Sequence, residues 1–456
     1  MKDMFDWLVH PPNGAGGTPQ PTTANRFVPA GHARQPVISV LVCTFDGLSG
    51  REIGQRLVTD LAAQPGVLVQ HFNKTLRSSG KGTLVERLVG AASSGRKWLV
   101  DTGADILVWG EVLPDNRGIK LRFLCAVADG DTQPGSVGLG DTLDLAVNYD
   151  TEMAALIHAV VLAAIGPRKS SPQREELADL LSDPVAKLNA YIDTPPAALE
   201  PTALASVMTA IGNVLASMWR LNAAPGHLDQ AIKAYKFALS QEYDKDDPLN
   251  WALTQNQLAA ALLAQAARDD DPSPLRAAAE AYLSVATTLG AHLHVNDWAL
   301  AQSHMGDVHV KLSKYGDANQ HLQKASAAYQ QALKAFTRET MPGPWAELMN
   351  QLGIALMRMG ENAESERILG QSAACFRKSL EVRRREIAPF LWAQTANNLG
   401  AVTFTIYRRS ENASVLHEAA ACFKGVSEIY AQYGRQDKAI VAQRNLDRIM
   451  EIQQGG

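Results

Sequence analysis

"WAQTANNLGA" runs from Trp392 to Ala401, and the same frame opens "WALTQNQLAA" at Trp251, "WALAQSHMGD" at Trp298 and "WAELMNQLGI" at Trp345. Each Trp stands 47 residues after the one before (298 − 251, 345 − 298, 392 − 345). Seven positions on come Leu258, Met305, Leu352 and Leu399, with Ile211 in the same register upstream. A small residue follows each: Gly212, Ala259, Gly306, Gly353 and Gly400. A second aromatic series, Tyr235, Tyr282, Tyr329, Phe376 and Phe423, keeps the same interval. Two helical stripes per period predict helical hairpins, a helix A and a helix B, that bury their apolar faces only by stacking on neighbours. Gly or Ala in helix A lets helix B come close, and the helix B aromatic fills the space. Trp lies just past a connector, beside Pro248, Pro344 or Pro389, and is expected to wedge the joint between hairpins. Leu204 and Ala439 take the Trp register at either end, as atypical terminal units do.

Ahead of the repeat, residues 36–166 alternate strand and helix. "VISVLVCTF" from Val37 is a β-branched run, "GREIGQRLVTDLAA" from Gly50 a helix, "VLVQHF" from Val67 a strand and "TLVERLVGAASSGRKWLVDT" from Thr83 a longer helix. "ADILVWGEVL" and "GIKLRFLCAVA" are two strands joined by the turn "PDNRG", and "MAALIHAVVLAAI" from Met153 closes the unit. The expected fold class is therefore an α/β amino-terminal domain with a mixed sheet, followed by an all-α solenoid of helical hairpins with a 47-residue period. The expected limits are a disordered arm over 1–35, the α/β domain over 36–166, a helical linker over 167–200 and the solenoid over 201–456. In the arm, Met1, Met4, Phe5 and Leu8 have the spacing of one helical face, which suits either a frayed terminus or a short docking helix.

Two resemblances follow. Phe45 at the end of the first strand, Ile53-Gly54, Gly103-Ala104-Asp105 and Gly110-Glu111-Val112 resemble the small α/β domain at the amino terminus of TolB and of related secretion lipoproteins. That likeness implies a module for assembly or regulation, one that also precedes helical repeats in bacterial regulators with a cyclase or DNA-binding effector. No such effector is legible in this sequence. The "NNLG" of Asn397–Gly400, with the helix B aromatics, resembles the tetratricopeptide repeat. The interval departs from that family's period of about 34, and the roughly 13 extra residues are expected in the hairpin turn and the connector. HEAT and armadillo arrays overlap the longer period, so α-solenoid is the wider class.

Composition narrows the function. The chain has 456 residues, 46% hydrophobic and 20% charged, and a net charge of −4. That balance gives no basis for binding nucleic acid, whose phosphates demand Lys and Arg. The apolar run from Met153 is too short to span a bilayer and contains His158, so no membrane span is expected. With no signal-peptide pattern at the start, the expected localisation is cytoplasmic. Four cysteines are no disulfide scaffold, and Cys375 and Cys422 alternate with Ala at a repeat-equivalent site, as small core residues do.

Catalytic motifs fail. "SSGKGTLVE" around Lys81 has Thr75 and Gly82 where a phosphate loop needs Gly and Ser or Thr. "GSVGLGDT" from Gly135 has the wrong spacing for a dinucleotide loop. His292, His294, His304 and His309 lack metal-ligand spacing. No cofactor, no metal and no enzyme activity are expected.

The candidate site comes from the tetratricopeptide resemblance, which implies a concave face lined by helix A residues. By register these are Asn256, Gln257, His304, Asp307, Lys311, Asn350, Gln351, Arg358, Asn397 and Asn398. Amides suit the backbone of a bound peptide, and Lys311 and Arg358 suit a carboxylate. The expected function is a bacterial scaffold or adaptor holding a protein or peptide partner, with the α/β domain as a second docking or homo-oligomerisation module. The alternatives are a small-ligand-sensing regulator or enzyme whose α/β domain carries the site, a structural subunit of an assembly, and an exported protein.

Overall fold

The computed structural model describes residues 37–78, 81, 84–114, 118–126, 133–138, 140–165, 171–196, 199–241, 248–293 and 295–455. The expected arm, with Met1, Met4, Phe5 and Leu8, lies outside them. The chain divides into two compact units, one up to Ala281 and one from Tyr282 onward.

In the first unit the β-branched run forms β1 (Ile38–Cys43), parallel to β2 (Val67–Phe72) on one side and to β3 (Ile106–Val112) on the other. β4 (Ile119–Cys125) returns antiparallel to β3, and β5 (Leu143–Leu145) adds antiparallel to β4, giving the order β2-β1-β3-β4-β5. The mixed sheet is as expected. β5 is an addition, since three residues leave no periodic signal. Helix α1 (Gly50–Ala62) joins β1 to β2, and α2 (Leu84–Thr102) crosses back from β2 to β3. Right-handed crossovers in opposite directions put these helices on opposite faces. Leu41, Cys43, Leu107, Trp109 and Leu124 accordingly meet Leu88, Ala92 and Leu99 of α2. The apolar run from Met153 is α3 (Thr151–Ile165), buried almost throughout and packed with α1. Its His158 is 2% exposed, with Nε2 2.9 Å from the Pro65 carbonyl.

The linker region holds α4 (Ser171–Asp193), and beyond it come α5 (Pro201–Asn222), α6 (Pro225–Ser240) and α7 (Leu249–Asp269). By length and composition α5 could cross a membrane, yet it serves as a core helix between α3 and α6, with 61% of its apolar window buried. Helix α5 also covers β5. The Ser206 hydroxyl receives the Asp144 amide at 2.7 Å and donates to the Thr142 carbonyl.

The division between units falls within α8 (Ser273–Leu293). The second unit continues as α9 (Val295–Leu312), α10 (Ala318–Ala332), α11 (Pro342–Asn362), α12 (Glu366–Leu380), α13 (Pro389–Ser410), α14 (Ala413–Gln432) and α15 (Gln436–Gly455). From α9 to α15 each helix packs on the next. No strand occurs beyond residue 200 among the described residues. A mixed sheet followed by helices in adjacent pairs is an α/β domain with an α-solenoid.

Local chemistry sets the helix ends. A helices α11 and α13 begin with Pro at a position whose N–H has no helical partner. B helices α10, α12 and α14 begin after Asp317, Ser365 and Asn412, whose side chains accept from backbone N–H groups in the first turn. Only residues 363–365 separate α11 from α12, and 411–412 separate α13 from α14. The hairpin turn therefore stays short, contrary to expectation, and the connector 381–388 takes up length instead.

The wedge geometry is plain. A Cβ on Gly212, Gly306 or Gly353 would stand 2.4, 2.5 or 2.6 Å from the ring of Tyr235, Tyr329 or Phe376. Only a residue without a side chain leaves room for those rings. Trp298 of α9 packs half-buried on a cluster that includes Leu322 and Tyr329 of α10 and Leu348 of α11. The Arg338 guanidinium lies over the Trp345 ring at 5.9 Å and pairs with Glu381. One period later Arg385 lies 5.5 Å over Trp392 and pairs with Glu428 at 2.9 Å. Each of these two joints thus repeats a stack of carboxylate, guanidinium and indole.

Candidate functional site

Neighbouring A helices α9, α11 and α13 bring most of the expected site residues onto adjacent rows. On α9, Lys311 is exposed, while the His304 ring packs on Tyr282 with centroids 5.2 Å apart. The His304 Nδ1 is buried without a hydrogen-bond partner. Burial lowers its pKa to about 4. The Asp307 carboxylate accepts from the Tyr329 hydroxyl at 2.7 Å. Burial raises its pKa to about 6, and the Glu347 charge adds to the rise, against the Tyr329 bond and Lys311.

On α11, Asn350 is fully buried. Its Oδ1 accepts from Asn398 Nδ2 of α13 at 3.3 Å, and its Nδ2 has no partner within the protein. Gln351 donates to Glu347 at 2.8 Å. Arg358 donates to the Val310 carbonyl at 3.3 Å and lines a cleft of about 240 Å³ with Lys314 and Glu361. Asn397 and Asn398 are half-buried.

Asn256 and Gln257 belong to the first unit, on α7. Asn256 is half-buried. Gln257 is engaged at both amide atoms: Gly135 N–H donates to its Oε1 at 2.9 Å, and its Nε2 donates to the Ser136 carbonyl at 2.6 Å. Its amide clamps the 133–138 loop onto the helices.

Sequence reading missed a polar triad on the same rows of the second unit. Arg383, 4% exposed, donates to Thr395 Oγ1 at 2.9 Å and pairs with Glu347. One period earlier these positions are Phe336, Leu348 and Leu300, packed together in an apolar cluster. The break in register was the available signal. Three apolar positions turn polar together, one a buried cation and one its counter-charge.

Sequence reading also missed a cavity of about 360 Å³ in the first unit. Lys120, Asp141, Thr142 and Asp144 from the sheet side meet Ser206 and Thr209 of α5, Leu239 of α6, and Asn250, Trp251 and Thr254 of α7. The Thr209 and Thr254 hydroxyls lie 2.9 Å apart, so one donates to the other and the second donates to a carbonyl of its own helix, which spends both protons internally. Lys120 stands 4.0 Å from Asp144. Burial raises the Asp144 pKa, against the pull of Lys120, the Thr142 hydroxyl and Arg122, with Glu111 adding to the rise.

The cysteines are chemically quiet. Burial pushes the Cys43 and Cys422 thiols up to about 12 and raises Cys375. No group of three or more His, Cys, Asp or Glu side chains suited to a metal ion occurs among the described residues.

No curated protein matches the chain. Residues 345–386, the hairpin of α11 and α12 with part of its following connector, match the tetratricopeptide repeat family. With the helices in adjacent pairs, that match supports a tetratricopeptide-like reading of the repeats.

Proposed function

We propose that this protein is a non-enzymatic scaffold that holds an extended protein segment along the helix A rows of its second unit. The observation that carries the reading is the tetratricopeptide match over 345–386, on a hairpin whose rows present an amide ladder. The half-buried Asn397 and Gln351 offer donors and acceptors to a peptide backbone, and Lys311 and Arg358 meet a carboxylate on the bound segment. Asn350 and Asp307, bonded inward, hold the rows in place. In this reading the α/β domain, similar to that of TolB, docks a second partner or a second copy of the chain in a bacterial cytoplasm.

The test is selection from a displayed peptide library on the full chain, followed by calorimetry on the Lys311→Glu/Arg358→Glu double variant. The expected result is selected peptides rich in Asp or Glu whose affinity drops at least about tenfold on the variant. Selected peptides that bind both proteins equally would overturn the assignment.

A further inference from the structure

The cavity of the first unit has the features of a built site. Its volume of about 360 Å³ falls inside the range of roughly 300–1,000 Å³ typical of small-molecule sites. Its lining mixes two chemistries. Leu113, Ala205, Ala238, Leu239 and Trp251 are its apolar members, and Lys120, Asp141 and Asp144 its charged ones.

The polar set is incomplete. Asp144 Oδ1 and the Thr142 hydroxyl are each buried without a hydrogen bond of normal geometry. A buried carboxylate oxygen left in that state costs free energy that a bound donor would recover. The hydroxyls of Ser206, Thr209 and Thr254 are committed to internal bonds, so they do not supply that donor. Lys120 approaches Asp144 only at the outer limit of an ion pair.

Charge selects the ligand. Among the described residues that line the cavity, two carboxylates, Asp141 and Asp144, stand with one cation, Lys120. That is an excess of one carboxylate over cations at the wall. We propose that this cavity binds a small organic amine, its ammonium group donating to Asp144 Oδ1 and its apolar or aromatic body lying against Trp251. An alcohol would satisfy the oxygen but not the charge, and an anion would meet two carboxylates at the wall. The indole face adds attraction for a cation or a ring. The site is independent of the helix A rows, so it stands or falls apart from the scaffold reading.

The experiment uses the full chain and three probes of one shape: phenethylamine, the neutral 2-phenylethanol and the anionic phenylacetate. Calorimetry or saturation-transfer NMR reads their affinity. Phenethylamine is expected to bind with one-to-one saturation, about tenfold or more tighter than 2-phenylethanol, and to lose at least that factor in the Asp144→Asn variant. Equal binding of the three probes, no binding of the amine at millimolar concentration, or full retention by Asp144→Asn would overturn the proposal. Should Asp144→Asn fail to fold, Ala205→Leu decides the matter, because it fills the cavity without touching a charge. Loss of amine binding there supports the site, and retention refutes it.

Discussion

Single residues carry both the tightness of the repeat and its pH response. In the two periods where a helix A glycine faces a helix B Tyr, the next position holds an acceptor: Asn213 takes the Tyr235 hydroxyl at 2.8 Å, and Asp307 takes that of Tyr329 at 2.7 Å, whereas opposite Tyr282 the pair is Ala259 and Ala260. Where helix B has Phe376 or Phe423, the same position is Ile354 or Ala401. A buried hydroxyl needs a partner and a phenyl ring does not. Asp307 performs this task at a cost, because burial holds its folded pKa at about 6, above the ordinary value. Its ionised form is therefore penalised above pH 6, and the penalty fades as pH falls towards the unfolded value of about 4. Asp307→Asn keeps an acceptor and removes the charge. It should stabilise the protein by about 1–2 kcal/mol at pH 7.5, with the gap closing by about pH 4. Urea denaturation at the two pH values checks this, and a gap that does not close would refute it. His304 and His309, both lowered to about 4 chiefly by burial, act with the opposite sign. Their neutral forms hold full stability above about pH 6.5 and lose it as pH falls towards 4, so only the difference between variant and parent isolates Asp307.

At the scale of the element, the hairpin turns hold a regularity that the residues conceal. Ala223, Asp270, Glu364 and Glu411 all have φ between 50° and 57°. Their numbers differ by 47, twice 47 and 47. Each ends a helix A in the left-handed region, where Gly is the usual occupant. Three of the four are acidic and one is Ala, and none is the Gly or Asn that usually marks such a helix end, so turn residue types do not flag this period and it becomes visible in the backbone angles. The helices themselves were legible, because Gly353 and Phe376 are tied by a contact that only a glycine permits. The left-handed conformation strains a residue with a side chain by roughly 1–2 kcal/mol, and glycine returns part of that as unfolded-state entropy. Glu364→Gly and Glu411→Gly should each stabilise the second unit by about 0.5–1 kcal/mol, additively, since they lie in different hairpins. A lowered urea midpoint for either variant would show that the glutamate side chain matters more than its backbone.

For the whole molecule, the array behaves as one register into which different chemistries are set. The apolar trio Leu300, Phe336 and Leu348 in one period becomes Glu347, Arg383 and Thr395 in the next. Glu347 is 44% exposed, so it rehydrates readily, and Arg383 is the member whose burial must be compensated. Thr395→Leu alone leaves Arg383 Nη1 buried without its acceptor and should cost about 1–3 kcal/mol. The triple change Glu347→Leu/Arg383→Phe/Thr395→Leu, which copies the previous period, should return to within about 1 kcal/mol of the parent. Thermal melts of the three proteins test the point, and a triple variant as unstable as the single would refute equivalence of the periods. At this scale the fold class was readable from spacing alone. The cavity was not, because Lys120, Asp144 and Trp251 meet only through tertiary contact between sheet and helices.

That same contact governs the order in which a nascent chain matures. The 133–138 loop receives its clamp from Gln257, and the β5 backbone its partner from Ser206, so the sheet edge stays unfinished until those helices have left the ribosome. Synthesis halted near residue 200 would release a sheet with an open, sticky margin, and the cell must complete the first helices before the amino-terminal half is safe from aggregation.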